Sequence, residues 1–140
     1  MLLPLILAVQ VVQAEPTVSI EVASSRFASG AEITASVTNA MGESIFVPAC
    51  ETMQIESFDE EQGRWLPTSS GGCRETRAAV GLTEGTHSLS ARFETDRFSI
   101  VRLVLVFGMR CREGFSLEMA GCEEFRAATS MNLTVAPAEE

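Results

Sequence analysis

The chain has 140 residues, which is the size of a single domain and is enough to bury a hydrophobic core. Its formal net charge is −9, and this acidic balance disfavours nucleic acid and anionic membrane surfaces as partners, because both are bound through clustered Lys and Arg. Cationic partners or divalent ions suit such a domain, although charge alone identifies neither.

The N-terminal residues 1–14 are uncharged, and they are apolar from Leu2 to Val12. This run is too short to span a bilayer, which takes about 20 apolar residues. It is typical of the apolar region of a signal peptide, with cleavage expected after Ala14. No Lys or Arg precedes the run, so a buried N-terminal strand stays open as the alternative. The sequence predicts a signal peptide over 1–14, a mature domain over 15–140, and a periplasmic or secreted location.

Short segments of alternating apolar and polar residues follow, separated by Gly, Asn, Ser and acidic turn residues. Alternation with a period of two is the pattern of half-buried strands, and helical signals are nearly absent. Only the segment 74–81 leaves room for a short helical turn. The predicted strands cover residues 18–22, 33–39, 45–47, 53–58, 64–67, 87–93, 99–109 and 125–135.

Two of these segments indicate the architecture most directly. The run 99–109 is the most apolar and is rich in β-branched residues, which predicts a central strand buried on both faces. Segments 53–58 and 64–67 are joined by an acidic five-residue loop ending in Gly63, as in a β-hairpin. Because there are seven or eight strands and no crossover helices, the expected fold is all-β, an antiparallel two-sheet sandwich.

The four cysteines are Cys50, Cys73, Cys111 and Cys122. An even number behind an export signal predicts two disulfides, with three possible connectivities. No C-x-x-C pair is present, so neither a zinc knuckle nor a thioredoxin-like redox site is supported. We favour Cys50–Cys73 with Cys111–Cys122, because each pair closes a local loop and would stabilise the fold by about 3 kcal/mol. Four free thiols in a reducing compartment remain the alternative if the chain is not exported.

A series of short motifs runs through most of residues 17–135. It consists of a strand ending Val37-Thr38-Asn39, then Ile45-Phe46-Val47 leading to Cys50, Gly63-Arg64-Trp65 in a hairpin, Cys73, the turn from Leu82 to Gly85, and an apolar penultimate strand. This order resembles a widespread group of bacterial exported immunoglobulin-like sandwich domains of unassigned function. The resemblance implies an immunoglobulin-like fold and export, and it implies no catalytic residues. The sandwich is also similar to that of small bacterial proteinase inhibitors, but no inhibitory loop signature is found.

Residues for catalysis are sparse. His87 is the single histidine and there is no tyrosine, whereas a nucleophilic triad needs a base beside its Ser or Cys and a group that orients the base. His87 lies near the start of an alternating strand, where a structural role is expected. No nucleophile elbow, metalloprotease helix or phosphate-binding loop is present. We therefore predict a protein that is not an enzyme, with no catalytic residues and no cofactor.

Candidate metal ligands are the acidic run Asp59-Glu60-Glu61 and the methionines. The acidic run lacks the pattern of a calcium loop and is interpreted as a solvated turn. Clustered thioethers select Cu(I), and periplasmic copper carriers are small β-sandwiches, but the methionines here are scattered and suit core filling. They include Met41, Met53, Met109, Met119 and Met131. No metal site is predicted, and a small-ligand or copper carrier stays open as an alternative function.

The segment 112–121, between two cysteines, is the best candidate for a functional surface. It holds Phe115, Leu117 and Met119 at a sandwich end, where immunoglobulin-like folds place binding loops. These side chains either pack under the sandwich or contact a partner, and the same two alternatives hold for Trp65, the only tryptophan. The prediction is a non-enzymatic binding module for another envelope or extracellular protein or glycan. A proteinase inhibitor that uses this loop is a further alternative.

Overall fold

The computed structural model describes residues 16–68 and 77–138, and within these ranges the chain forms eleven strands and no helix. The all-β prediction is confirmed. Accordingly, these ranges contain no helix that is long and apolar enough to cross a membrane. The strands are β1 (Thr17–Val22), β2 (Arg26–Ala28), β3 (Glu32–Ala40), β4 (Ile45–Val47), β5 (Gln54–Asp59), β6 (Arg64–Thr68), β7 (Val80–Leu82), β8 (Gly85–Arg92), β9 (Ser99–Met109), β10 (Glu124–Thr129) and β11 (Leu133–Ala136).

Several predictions concern residues outside the described ranges. They concern the signal peptide over 1–14, the cysteine Cys73 and the first part of segment 74–81. The described remainder of that segment, 77–81, contains no helical turn, because residues 77–79 are irregular and β7 begins at Val80. The expected seven or eight strands were too few. The three-residue strands β2 and β7 were missed, and the predicted strand 125–135 is two strands, β10 and β11.

The small sheet has three strands in the order β1-β3-β8, and both of its pairings are antiparallel. The alternation in β3 decides which side faces the core. Ile33, Ala35 and Val37 are buried, whereas the Ser and Thr residues between them face outward. The small sheet therefore has one apolar inner face and one polar outer face.

The large sheet is organised around β9, which has β11 and β10 on one side and β5 and β4 on the other. The predicted central strand is confirmed with its bounds, Ser99–Met109. β6 adds to β5, β7 adds to β4, and β2 pairs with β11. The β2–β11 pair is parallel, so the expectation of a wholly antiparallel fold was wrong. Pairing direction depends on how distant segments meet, which alternation within a strand does not encode.

The two sheets share one hydrophobic core, as in a β-sandwich. Inner-face residues of β3 and of β9, among them Val37, Leu103 and Leu105, are fully buried in a single cluster. One polar side chain, Asn39 at the end of β3, is also fully buried. Its Nδ2 donates to the carbonyl oxygens of Glu43 at 2.9 Å and Leu82 at 3.0 Å. Asn39 thus ties the small sheet to the turns that lead into and out of the large one.

The last predicted strand, 125–135, is interrupted by a β-bulge. Five residues from Thr129 to Leu133 lie opposite the four residues from Val101 to Val104, so β10 and β11 differ in register by one. The Ser130 hydroxyl accepts from the Leu103 amide at 2.8 Å and takes the place of a ladder hydrogen bond. The shift reverses the facing, which leaves Phe125 on the outer face and Leu133 in the core. The predicted single face for this strand was therefore wrong.

Candidate binding surface

The Cys111–Cys122 disulfide lies on the outer face of the large sheet, and this predicted pair is confirmed. The two Cα atoms are 4.0 Å apart. A Cβ added to Gly108, which faces outward from β9, would lie 2.5 Å from Cys122 Sγ and 2.9 Å from Cys111 Sγ. Only glycine leaves room for the disulfide directly on this strand. The predicted Cys50–Cys73 pair includes Cys73, which the structure does not describe, and that pairing remains a prediction.

Residues 112–121, here called the stapled loop, are anchored on that outer face. Leu117 is 6% exposed and Ala120 is fully buried, although neither belongs to the sandwich core. The Ala79 amide donates to the Phe115 carbonyl oxygen at 2.8 Å, which fixes the loop beside the start of β7. The Arg112 amide donates to the Ala120 carbonyl oxygen at 2.8 Å and closes the base. The loop is therefore held at both its base and its middle.

The side chains that the stapled loop presents are apolar. Phe115 is 44% exposed and Met119 is 66% exposed. The Arg112 guanidinium carbon lies 4.7 Å from the Phe115 ring centroid and holds the ring in place. Leu117, also predicted as a contact residue, is buried and has no surface for a partner. Val80 of the adjoining β7 is also exposed, but it faces the same side as Val47 and Leu82, away from the stapled loop.

An ion-pair network flanks the base of the stapled loop. Arg110 binds Glu43, with Nη1 and Oε2 3.0 Å apart, and also contacts Glu123 and Glu124. Its hydrogen bond to Glu123 and the nearby Glu43 raise the pKa of Arg110. The hydrogen bond from Arg126 to Glu124, more than the contact with Arg110, lowers the pKa of the Glu124 carboxyl. Because these pairs are exposed, they add little to the stability of the fold.

Trp65 lies on the same outer face but not beside the stapled loop. Its ring contacts Phe58, with the centroids 5.3 Å apart, and the Arg102 guanidinium carbon lies 4.3 Å from the Trp65 centroid. Glu56 binds Arg102 at 2.7 Å and completes the stack. Arg102 and Gly108 are six residues apart on one strand, which is about 20 Å. The structure thus places Trp65 and the stapled loop at opposite ends of one face.

A concave surface lies at the end of the sandwich away from the stapled loop, between the β5–β6 turn and the β8–β9 loop. It is an open groove of about 1020 Å³ with carboxylates on both walls and Arg97 as its only basic lining residue within the described ranges. Phe98 at its rim is 74% exposed, the most exposed large apolar side chain of the described residues. Its acidic lining residues are Asp59, Glu60, Glu61, Glu94 and Asp96.

The residues considered for catalysis and metal binding do not form a site in the described ranges. His87 Nε2 is 2.8 Å from the Thr83 carbonyl oxygen, which is a structural hydrogen bond. Met53 and Met109 are buried in the core, whereas Met119 and Met131 are exposed. Residues 16–68 and 77–138 hold no group of three or more His, Cys, Asp or Glu side chains placed to bind a metal.

Comparison of the chain with protein-family models, with curated proteins and with solved structures gives no match.

Proposed function

We propose that this chain is an exported, non-enzymatic binding module that contacts another envelope protein through the stapled loop. The observation that supports this most is the contrast in exposure among the side chains of the loop. Leu117 and Ala120 are buried and hold it, while Phe115 and Met119 are exposed. A disulfide-closed loop loses little conformational freedom on binding, so exposed apolar side chains on it are suited to recognition.

The charge around these residues indicates the kind of partner. Glu113 and Glu118 on the stapled loop are exposed, and the whole chain has a net charge of −9. The complementary surface is therefore an apolar patch with Lys or Arg at its rim. Such a partner would cover Phe115 and Met119 and pair its basic groups with the carboxylates of the loop.

The immunoglobulin-like identity of the fold is part of this proposal. The chain passes from β3 in the small sheet to β4–β7 in the large sheet, then to β8 in the small sheet and β9 in the large. This alternation corresponds to strands B, C, E and F of an immunoglobulin fold, with β1 as strand A and β10 and β11 as strand G. Cross-strand amide contacts by NMR between β3 and β8, and between β4 and β9, test this order.

Export is the second part, and the Cys111–Cys122 disulfide supports it, since such bonds persist in oxidising compartments. The mature protein should begin at Glu15 and be four hydrogen atoms lighter than its fully reduced form, because two disulfides are expected. Intact mass spectrometry measures both. A protein that keeps Met1 and has four alkylatable thiols would refute export.

Partner capture tests the binding surface. We would immobilise the exported protein, expose it to envelope extract, and compare wild type with Phe115→Ser, Met119→Ser and a matched control, Phe98→Ser. The control removes an equally apolar exposed ring at the far end of the sandwich. We expect one protein to be retained by wild type and by the control but lost from both loop variants. Retention by all four, loss from the control alone, or no retained protein would each contradict the proposal.

A further inference from the structure

A pocket of about 360 Å³, here called the Gly81 pocket, lies between the stapled loop and the outer side of the β4–β7 pair. The register of the pair forms its floor, because Phe46 lies opposite Gly81 and residues two apart along a strand face the same way. Glu113 of the stapled loop completes the lining. The pocket therefore adjoins the surface that the loop presents. Its lining residues are Ser44, Phe46, Ala79, Gly81, Thr83 and Glu113.

Gly81 leaves the floor of this pocket open. Its φ is not in the positive region, so the backbone does not require a glycine there. A Cβ at Gly81 would meet only the Phe46 ring of the described residues, at an ordinary 3.7 Å, whereas the disulfide excludes any side chain at Gly108. Glycine weakens a strand, and within one it often marks a place that a ligand approaches closely. The packing of the described residues does not explain Gly81, but a ligand over it would.

The chemical groups around the Gly81 pocket suit a cation. Glu113 contributes a carboxylate, Ser44 and Thr83 contribute hydroxyl oxygens, and Phe46 contributes an aromatic ring. A carboxylate and hydroxyl oxygens accept hydrogen bonds from an ammonium group, and an aromatic ring attracts the same positive charge. Among the described residues, no Arg or His lines the pocket.

The arginines nearest to Glu113 in the sequence are engaged elsewhere. The Arg112 guanidinium carbon lies 4.7 Å from the Phe115 ring centroid, and Arg112 Nη2 donates to the Met119 carbonyl oxygen at 3.2 Å. Arg110 binds three other carboxylates. Glu113 takes part in no ion pair within residues 16–68 and 77–138. The pocket therefore carries a negative charge that a cationic group can neutralise.

We propose that the Gly81 pocket binds a lysine side chain of the protein that contacts the stapled loop. This inference rests on the function proposed above and adds one specific contact to it. Lysine suits the pocket better than arginine, because its compact ammonium group donates three hydrogen bonds in different directions and three lining side chains carry acceptor oxygens. A partner that covers Phe115 also reaches the pocket, since Glu113 is only two residues away.

The first test is an NMR titration with lysine that is acetylated at its α-amino group and amidated at its carboxyl group. The matched control compound contains norleucine, which has the same stem but no ammonium group. At constant ionic strength, we expect the lysine compound to shift the amide signals of Gly81, Thr83 and Glu113 in a saturable manner. The norleucine compound should not shift them, and the corresponding arginine compound should bind more weakly.

Two substitutions locate the binding. Glu113→Gln should weaken lysine binding about ten-fold, because it removes the charge-assisted hydrogen bond and keeps the shape. Glu118→Gln makes the same change on the same loop but outside the pocket, and should alter binding less than about two-fold. Gly81→Leu should abolish binding by filling the pocket, whereas Ser36→Leu adds the same side chain to the other sheet. Thermal unfolding checks each fold, and Glu113→Gln decides the question if Gly81→Leu does not fold.

The second test uses the protein retained in the capture experiment. The chain contains no lysine, so it supplies no side-chain amine of its own. A water-soluble carbodiimide joins a carboxylate to an amine as an amide, and the reagent takes up the water that is lost. We expect Glu113, and not Glu118, to be joined to a lysine of the partner. Fragmentation of the crosslinked peptide in the mass spectrometer identifies both residues.

The outcomes separate this inference from the proposed function. Equal shifts with the norleucine compound, tighter binding of the arginine compound, or lysine shifts that survive Glu113→Gln would overturn the inference alone. A partner that is lost on Phe115→Ser but retained equally by wild type and Glu113→Gln would do the same. If the lysine compound binds and no protein is retained, the function proposed for the loop fails together with the partner as the source of the lysine.

Discussion

The outer faces of the two sheets differ in what covers them. On the large sheet, the stapled loop and the stack of Trp65 on Arg102 cover outward positions of β9, and Val104 there is only 7% exposed. On the small sheet, the outward positions of β3 and β8 are Ser and Thr residues in contact with solvent. A strand that is apolar at successive positions therefore has most of its second face covered, although Ile100 near the start of β9 is 41% exposed, whereas strict alternation marks one bare face.

The largest expected loss of stability comes from a substitution on the covered outer face of the large sheet. Gly108→Ala should destabilise the protein by about 3 kcal/mol, because the new methyl group collides with the disulfide. Without the disulfide, in the Cys111→Ala/Cys122→Ala background, the same change should cost clearly less, because both sulfur atoms are removed and only the Cβ of residue 122, at 3.0 Å, stays close. Denaturant unfolding of the four proteins gives the coupling energy.

Gly81 provides the control for this experiment. It also faces outward from the large sheet, but a Cβ there would meet only the Phe46 ring at an ordinary 3.7 Å. Gly81→Ala should therefore change the free energy of unfolding by less than about 1 kcal/mol. An equal loss at Gly108 in both cysteine backgrounds would show that the disulfide does not restrict this position.

The next largest effect is expected when the Trp65–Arg102 stack, which covers the other end of the large sheet, is removed. Trp65→Ala should cost about 2 kcal/mol, because the ring loses its contacts with Phe58 and Arg102. Arg102→Lys should cost less, since lysine keeps the charge beside Glu56 but lacks the planar group that stacks. Urea unfolding measures both. A loss below about 0.5 kcal/mol for Trp65→Ala would mean that this stack is not a stabilising cover.

A pair of opposite substitutions sharpens the comparison between faces. Val104→Ser, on the covered face, should cost about 2 kcal/mol because it places a hydroxyl where solvent does not reach. Ser36→Val, on the bare face, should stay within about 0.5 kcal/mol of wild type. If the two substitutions lowered the stability equally in thermal unfolding, the outer faces of the two sheets would not differ in how well they are covered.

The smallest effect concerns the exposed ion pairs beside the stapled loop. The folded-state pKa of Glu124 lies below its ordinary value of 4.5, mainly because of Arg126. The stabilisation from this carboxylate is therefore present above about pH 4.5 and is lost as the pH falls through the folded-state pKa. In an NMR titration, Arg126→Gln should raise the Glu124 midpoint towards 4.5, while Arg112→Gln should leave it unchanged. No rise with Arg126→Gln would exclude Arg126 as the cause.

The sequence predicted what depends on local alternation. Three features could be derived, because each follows from adjacent residues or from a short spacing. They are the strand 99–109, the hairpin about Gly63 and the Cys111–Cys122 pair. The bulge at Ser130 could not, because one extra residue changes the facing without changing the alternation on either side.

The sequence named the loop as a candidate surface but did not decide whether Phe115, Leu117 and Met119 pack under the sandwich or are exposed. Phe115 and Met119 are exposed, whereas the burial of Leu117 depends on the loop folding over a distant strand. The position of Trp65 depends on which face of the hairpin meets β9, and the hairpin sequence alone does not settle this. Long-range packing decides both.

The parallel pair of β2 and β11 has a mechanical consequence. Tension that draws the chain ahead of β2 away from the chain after β11 slides the two strands along each other in opposite directions, because they run the same way. Their hydrogen bonds, including Ser29 N–H to the Ala136 oxygen at 2.7 Å and Thr134 N–H to the Ser25 oxygen at 2.8 Å, then bear the load together. In an antiparallel pair pulled from one end, the bonds would open one after another. The β2–β11 pair is thus built to resist shear along its strands better than its three paired residues suggest.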